Sequence, residues 1–262
     1  MGYNKLLDRQ IRRNLRDDPE IPEKFQKIFQ AISDSYDHNA SDRDMLERSL
    51  DISSQELNTA NKKVRSALVE LEEKNKDITD SINYAQKIQA AILPSDEYIK
   101  SLLPEHFVLF KPKDIVSGDF YWVGRNNGST LFATVDCTGH GIPGAFMSMI
   151  GNTLLNQIVH ENRITKPSEI LEELHERVVT ALNQGAKEDY SRDGMDIAIC
   201  NWNIKANTLE YAGAHIPLYH IRNGKLKEIK GDRFFIGGPE LKANFNNHSL
   251  ALEKGDTIYI FS

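Results

Sequence analysis

Two aspartates flanked by glycine carry the chemistry that this sequence can be read for. Asp119 follows Gly118 and opens an aromatic run, FYWV. Asp136 closes the apolar run TLFATV and leads into Gly139, His140 and Gly141. Hard divalent cations take carboxylate, carbonyl and water oxygens, and glycine lets backbone approach an ion closely. Two aspartates delivered by neighbouring strands can bridge a pair of metals. The same Asp-Gly pattern also caps ordinary turns. Asp193 and Asp196 flank a Gly-Met pair at the entrance to another apolar run. Turn capping is the simpler reading there, and Asp196 is retained as an accessory metal residue.

The elements that must position these residues divide at the glycines. After Gly2 there is none until Gly118, so 15 of the 16 glycines fall in the rest of the chain. Helices avoid glycine for its backbone entropy, whereas tight turns need it, so a helical front precedes a turn-rich back. In the front, Leu7, Ile11 and Leu15 recur every four residues until Pro19 and Pro22 interrupt. Phe25, Ile28, Phe29, Ile32 and Tyr36 then form one stripe of a second helix, expected to pack on the first or on a partner. Leu50, Leu57, Val64, Leu71, Ile78, Ala85 and Ile92 follow at heptad spacing, with Asn61 and Asn75 at the second seam position. Buried asparagines fix register and favour a two-stranded parallel coil, so a homodimer is expected. The alternative is a single amphipathic helix lying on the globular part. Pro94 ends the helix in either case. The predicted segments are 1–40 (helical), 41–93 (coiled coil) and 94–262 (globular).

Past Pro104 the period becomes two. HFVLF (106–110), FYWV (120–123), TLFATVD (130–136), DIAICNWNI (196–204), TLEYAGA (208–214), PLYHIRN (217–223), KLKEIK (225–230) and DTIYIFS (256–262) are predicted strands. Asn127-Gly128 and Asn223-Gly224 read as turns between them. Helices are predicted at 143–162 and 167–184. Ile197 and Ile199 alternate with Ala198, Cys200 and Trp202, so that strand must be covered on both faces. The expected class is α+β: a two-layer antiparallel β-sandwich flanked by helices and preceded by a long coiled-coil region.

Composition excludes other classes. The 32 basic and 38 acidic side chains leave a net charge of −6, unsuited to neutralising nucleic-acid phosphates. No apolar run is long enough for membrane insertion, and the first ten residues are too polar for a signal-peptide core. Cys137 and Cys200 sit in apolar surroundings and read as reduced core thiols, consistent with a cytoplasmic setting.

Together KPKDIVSGDFYW (111–122) and VDCTGHGIPGAFMSMIG (135–151) resemble the first two metal motifs of SpoIIE-type serine/threonine phosphatases, bacterial members of the PPM superfamily. The likeness continues through DGMDIAIC, LEYAGAHIPLYHIR, FFIGG and LEKGDTIYIFS, covering the chain from about Ile88 onward. The front resembles, more weakly, helical segments that precede sensor or output domains in bacterial signalling proteins.

The resemblance implies the PPM αββα arrangement with two Mn²⁺ or Mg²⁺ ions. Asp119 and Asp136 match metal-binding aspartates, and Cys137 the residue that supplies a backbone carbonyl. The implied reaction is attack of metal-activated water on a phosphoserine or phosphothreonine ester. Cys137 lacks the phosphate-cradling loop of cysteine phosphatases and is not expected to be a nucleophile. His140 is a candidate donor to the leaving alkoxide, the alternative being that it orders the 139–144 loop. Lys111 and Lys113 are candidate attractors of the substrate phosphate, or simply solvated.

The family's later Asp-Gly and acidic metal motifs would lie beyond IYIFS, so the sequence is expected to be a C-terminally incomplete copy. On that reading the intact protein is the phosphatase, and residues 1–262 alone bind ions weakly. An anti-sigma-factor antagonist is the substrate class that the resemblance suggests. Two non-enzymatic rivals are a coiled-coil scaffold whose degenerate phosphatase-like domain binds a phosphoprotein, and an adaptor acting only through residues 1–92.

Overall fold

The computed structural model describes residues 2–14, 21–182, 193–238 and 243–262. Contacts divide the chain into two compact units, Met1–Lys76 and Asp77–Ser262.

In the first unit, helix α1 (Lys5–Asn14) lies against the first turns of helix α2 (Glu23–Ile92). Leu7 and Ile11 are buried. The Asn4 N–H donates to Ser33 Oγ at 2.7 Å, and the rings of Tyr3 and Phe29 are 6.3 Å apart. The two predicted helices therefore pack on each other. Leu15 and Pro19 lie outside the described residues. α2 runs unbroken through residue 40, because no glycine or proline interrupts it before Pro94. Its heptad residues Leu50, Leu57, Val64, Leu71 and Ile78 are each more than half exposed.

The second unit begins where α2 becomes buried. Ile82, Ala85, Gln89 and Ile92 turn one stripe inward, with Gln89 only 6% exposed. Helix α3 (Asp96–Leu102) follows, its first turn capped by Ser95 Oγ accepting from the Tyr98 N–H. The sandwich is built from β1 (Phe120–Asn126), β2 (Ser129–Cys137), β3 (Met195–Asn203), β4 (Thr208–Ala214), β5 (Leu218–Arg222), β6 (Lys225–Ile229), β7 (His248–Ala251) and β8 (Thr257–Tyr259). One sheet has the order β1-β2-β3-β4-β7 and the other β6-β5-β8, and every strand pair among the described residues is antiparallel.

Helices α4 (Gly141–Asn156) and α5 (Pro167–Ala181) cover the outer face of the five-stranded sheet, α4 running on into a π-helical turn at Gln157–Glu161. Strand β3 shows why two layers form. Ile197 and Ile199 belong to the core beneath the helices, with Leu155, Ile170, Leu171 and Leu174. Ala198 and Cys200 belong to the core between the sheets, with Tyr211, Leu218 and the flanking Trp202 and Ile258. Period-two alternation sends one set each way, as expected of a strand buried on both faces. Asn127-Gly128 and Asn223-Gly224 have positive φ at both residues, the two-residue hairpin turn those pairs favour.

Some elements differ from expectation. Residues 106–110 have no regular secondary structure and pair with no strand, and Phe107 and Leu109 are exposed. Alternation alone supplies no partner edge; this segment instead rests Phe107 on Tyr259 and Phe110 on Tyr121 through edge contacts. β8 is shorter than DTIYIFS, and β7 was not expected because four residues carry too little periodicity to register. The end of the helix predicted at 167–184 lies outside the described residues.

Candidate metal centre

The strand register aligns the acidic residues. Phe120 pairs with Val135, which sets Asp119 opposite Asp136 at the mouth of the β1–β2 ribbon. Asp136 pairs with Asp196 across β2–β3, and Ile197 with Ala214 across β3–β4, which sets His215 beside Asp196. Residues 119, 136, 196 and 215 thus form a row across one end of the sheet. Directly opposed residues project from the same face.

The Asp119 carboxyl group therefore lies close to that of Asp136. Burial, the charge of Asp136 and hydrogen bonding with it raise the Asp119 pKa to about 6, with Ser262 acting against them. Two carboxylates this close resist ionising together unless a proton or a cation lies between them. Burial also raises the Asp196 pKa, and the charge of Asp136 adds to this, while His215 opposes it. The buried Cys137 thiol is pushed strongly upward by burial and by both aspartates, so it stays protonated and is no nucleophile.

Glycine contacts bring the loops together. A Cβ at Gly118 would lie 2.7 Å from the Gly139 carbonyl oxygen and 3.1 Å from that of Cys137. One at Gly144 would lie 2.5 Å from the Gly139 oxygen and 2.9 Å from Gly118 Cα. The residue before Asp119 therefore packs directly on the carbonyls that follow Asp136, and no larger residue fits. Thr138 anchors the far side: its N–H donates to the Gly194 carbonyl at 2.9 Å and its hydroxyl accepts from the Gly194 N–H at 3.1 Å.

The loop leading to Asp119 is also pinned from α2. Gln89 Nε2 donates to the Ser117 carbonyl at 2.6 Å and to Ser148 Oγ at 2.8 Å, while the Ser117 N–H donates to Gln89 Oε1 at 2.9 Å. His140 precedes α4 with Nδ1 hydrogen-bonded to Asp114 Oδ2 at 2.8 Å. Its side chain is 73% exposed, which leaves the Nε2 edge toward solvent. Lys111 and Lys113 are exposed on the same loop as Asp114 and form no ion pair among the described residues.

Of the residues predicted from sequence, Asp119, Asp136 and Asp196 come together, and the Cys137 carbonyl lies against Gly118 beside them. His140 is held by a partner that sequence reasoning missed, Asp114, although it lies inside the KPKDIVSGDFYW motif. His215 and Gln89 were missed too. Cross-strand counting would have found His215; Gln89 gave no signal, because a polar residue at a seam position reads as coiled-coil patterning.

Among the described residues no group of three or more His, Cys, Asp or Glu side chains is placed to hold a metal ion. The donors nevertheless fit a hard divalent ion. Two opposed carboxyl groups and adjacent backbone carbonyls are all-oxygen ligands, and Mg²⁺-type ions keep several waters and need only one or two carboxylates.

The family model described as Stage II sporulation protein E (SpoIIE) matches residues 126–262. The chain is 34% identical to the SiaA-PP2C domain of Pseudomonas aeruginosa, with a TM-score of 0.62, covering 71% of this chain and 72% of that one. The PP2C phosphatase domain of SpoIIE from Bacillus subtilis, solved with a fragment of its regulatory domain, gives 19% identity and a TM-score of 0.42 over 54% of this chain and 39% of that one. RsbX in complex with magnesium gives 16% identity and a TM-score of 0.42 over 55% and 65%. A search of curated proteins returned no match.

Proposed function

Because the chain belongs to the SpoIIE family and carries its PP2C-type phosphatase fold, we propose that it is a metal-dependent serine/threonine protein phosphatase acting on a bacterial signalling protein. The observation that carries this reading is the strand register that sets Asp119 opposite Asp136 at the β1–β2 mouth and Asp136 opposite Asp196. Asp119, Asp136 and the Cys137 carbonyl would hold the two Mn²⁺ or Mg²⁺ ions, with Asp196 as an accessory. Such ions supply an acidified water nucleophile and neutralise the charge of the phosphoryl oxygens. His140 donates a proton from Nε2 to the departing serine or threonine oxygen, and Asp114 keeps its ring in that orientation. Lys111 and Lys113 draw the phosphorylated segment toward the site.

Regulation is assigned to the helical front, with the chain divided functionally into 1–40, 41–93 and 94–262. The exposed stripe Leu50, Leu57, Val64 and Leu71 supports a homodimeric coiled coil, with Asn61 and Asn75 setting its register. An anti-sigma-factor antagonist is the proposed substrate class and the cytoplasm the proposed compartment. No helix among the described residues is long and apolar enough to cross a membrane.

The test is Mn²⁺-dependent release of phosphate from a phosphoserine peptide by the full-length protein. Asp119→Ala and Asp136→Ala are each expected to lose at least about a hundredfold in rate, since ligand loss should exceed the effect of losing an outer-shell partner. Wild-type rates in both would overturn the reading. The lack of such a three-side-chain group among the described residues favours a second reading, a scaffold that binds the phosphoprotein without hydrolysing it. Saturable peptide binding with no phosphate release in Mn²⁺ would select it.

A further inference from the structure

His215 sits where β4 ends, in a turn with φ of +60°. This left-handed conformation is uncommon for a residue with a side chain, and such outliers concentrate at functional sites. The His215 backbone N–H and both ring nitrogens are engaged. Its backbone N–H donates to the Asp232 carbonyl at 2.9 Å. Nδ1 is 2.9 Å from Asp196 Oδ1 and Nε2 is 3.0 Å from the Arg233 carbonyl oxygen. The turn is braced by the Tyr211 hydroxyl donating to the Ile216 carbonyl at 2.6 Å and by the Asp232 N–H donating to the Gly213 carbonyl at 2.7 Å.

The ion pair with Asp196 adds little to folding, and among the described residues the ring makes one aromatic contact, with Phe235 at 6.3 Å. Asp196 and His215 are 37% and 43% exposed, a setting in which an ion pair contributes little to folding. Glycine would take this φ without strain. What the imidazole does, and glycine cannot, is fix the Asp196 carboxyl group next to Asp136 while anchoring its own far edge to the 232–233 loop.

We propose that His215 is a positioning residue of the metal centre, holding Asp196 in place as the third carboxylate of the row. This inference rests on the metal-dependent reading above and adds to it a residue that acts on the ions only through Asp196.

The test is Mn²⁺ titration of the full-length protein, with free Mn²⁺ read by electron paramagnetic resonance and the urea midpoint measured in EDTA as a fold control. His215→Gly is expected to weaken Mn²⁺ binding about tenfold, as loss of an outer-shell partner does, without lowering the metal-free urea midpoint. His215→Asn keeps a donor at the δ position and tolerates the left-handed turn, so it should recover affinity to within about threefold of wild type. Asp196→Asn should match His215→Gly, and the double variant should be no weaker than either single one. Wild-type affinity in His215→Gly, or additive losses in the double variant, would overturn the proposal. If Asp119→Ala removes Mn²⁺ binding while His215→Gly leaves it intact, only this inference falls. If wild type binds no Mn²⁺, the metal-dependent reading falls with it.

Discussion

Gln89, near the end of α2, clasps both backbone polar groups of Ser117, accepting from its N–H at 2.9 Å and donating to its carbonyl at 2.6 Å. Ser117 lies two residues before Asp119, so one buried carboxamide links the long helix to the acidic row. Gln89→Leu strands the Ser117 N–H and carbonyl in a buried site and is expected to cost about 2–4 kcal/mol, measurable by urea unfolding. Mn²⁺ affinity should fall with it, because the segment that aims Asp119 is released.

The shifted Asp119 pKa predicts a pH dependence in the metal-free protein. Its folded value of about 6 exceeds the ordinary aspartate value of 3.8, so the folded state binds the proton more tightly. The resulting stability is fully present below about pH 4 and is lost as pH rises through about 6. Asp119→Asn removes this dependence. In EDTA, the stability of the variant relative to wild type should therefore rise between pH 4 and pH 7. Protons and cations compete for the same carboxyl groups, so wild-type Mn²⁺ affinity should increase over the same interval.

Gly144 and Gly128 provide a paired steric test. A Cβ at Gly144 meets only backbone, 2.5 Å from the Gly139 oxygen and 2.9 Å from Gly118 Cα. Gly144→Ala must displace the loops on either side of the aspartates, costing about 1–3 kcal/mol and weakening Mn²⁺ binding. Gly128, with φ of +84° and open space around it, should lose about 1 kcal/mol as alanine and leave Mn²⁺ affinity unchanged. Calorimetric titration of both variants separates the two effects.

His140 is tested through the leaving group. Against a phosphoserine peptide, whose alkoxide needs a proton, His140→Ala is expected to lose about a hundredfold in kcat. Against p-nitrophenyl phosphate, whose leaving group departs unprotonated, the loss should be much smaller. Asp114→Asn keeps the imidazole but weakens its orientation, and should fall between wild type and His140→Ala on the peptide.

The heptad stripe predicts self-association. Leu57 and Leu71 are 64% and 56% exposed, a density of apolar surface that a second copy would cover. Light scattering of wild type should give a dimer, and replacing Asn61 and Asn75 together with leucine should move it toward higher oligomers. A monomeric wild type would refute the coiled coil.

Much of the fold was legible because alternation is a local property. The two faces of β3 could be assigned from Ile197, Ala198, Ile199 and Cys200 alone, and the hairpins at Asn127-Gly128 and Asn223-Gly224 from two residues each. The segment 106–110 failed as a strand because pairing requires a neighbour, and alternation says nothing of neighbours.

The site divided along the same line. Sequence alone nominated ligands rather than fixing them: carboxylates beside glycines also cap turns, and it was the SpoIIE-type motifs that singled out Asp119 and Asp136, with Asp196 as an accessory. Tertiary structure decided that these three share one row, that Asp114 holds His140, that His215 holds Asp196 and that Gln89 holds Ser117. Those relationships depend on strand register and helix docking, which bring together residues far apart in the chain and leave no periodic trace along it.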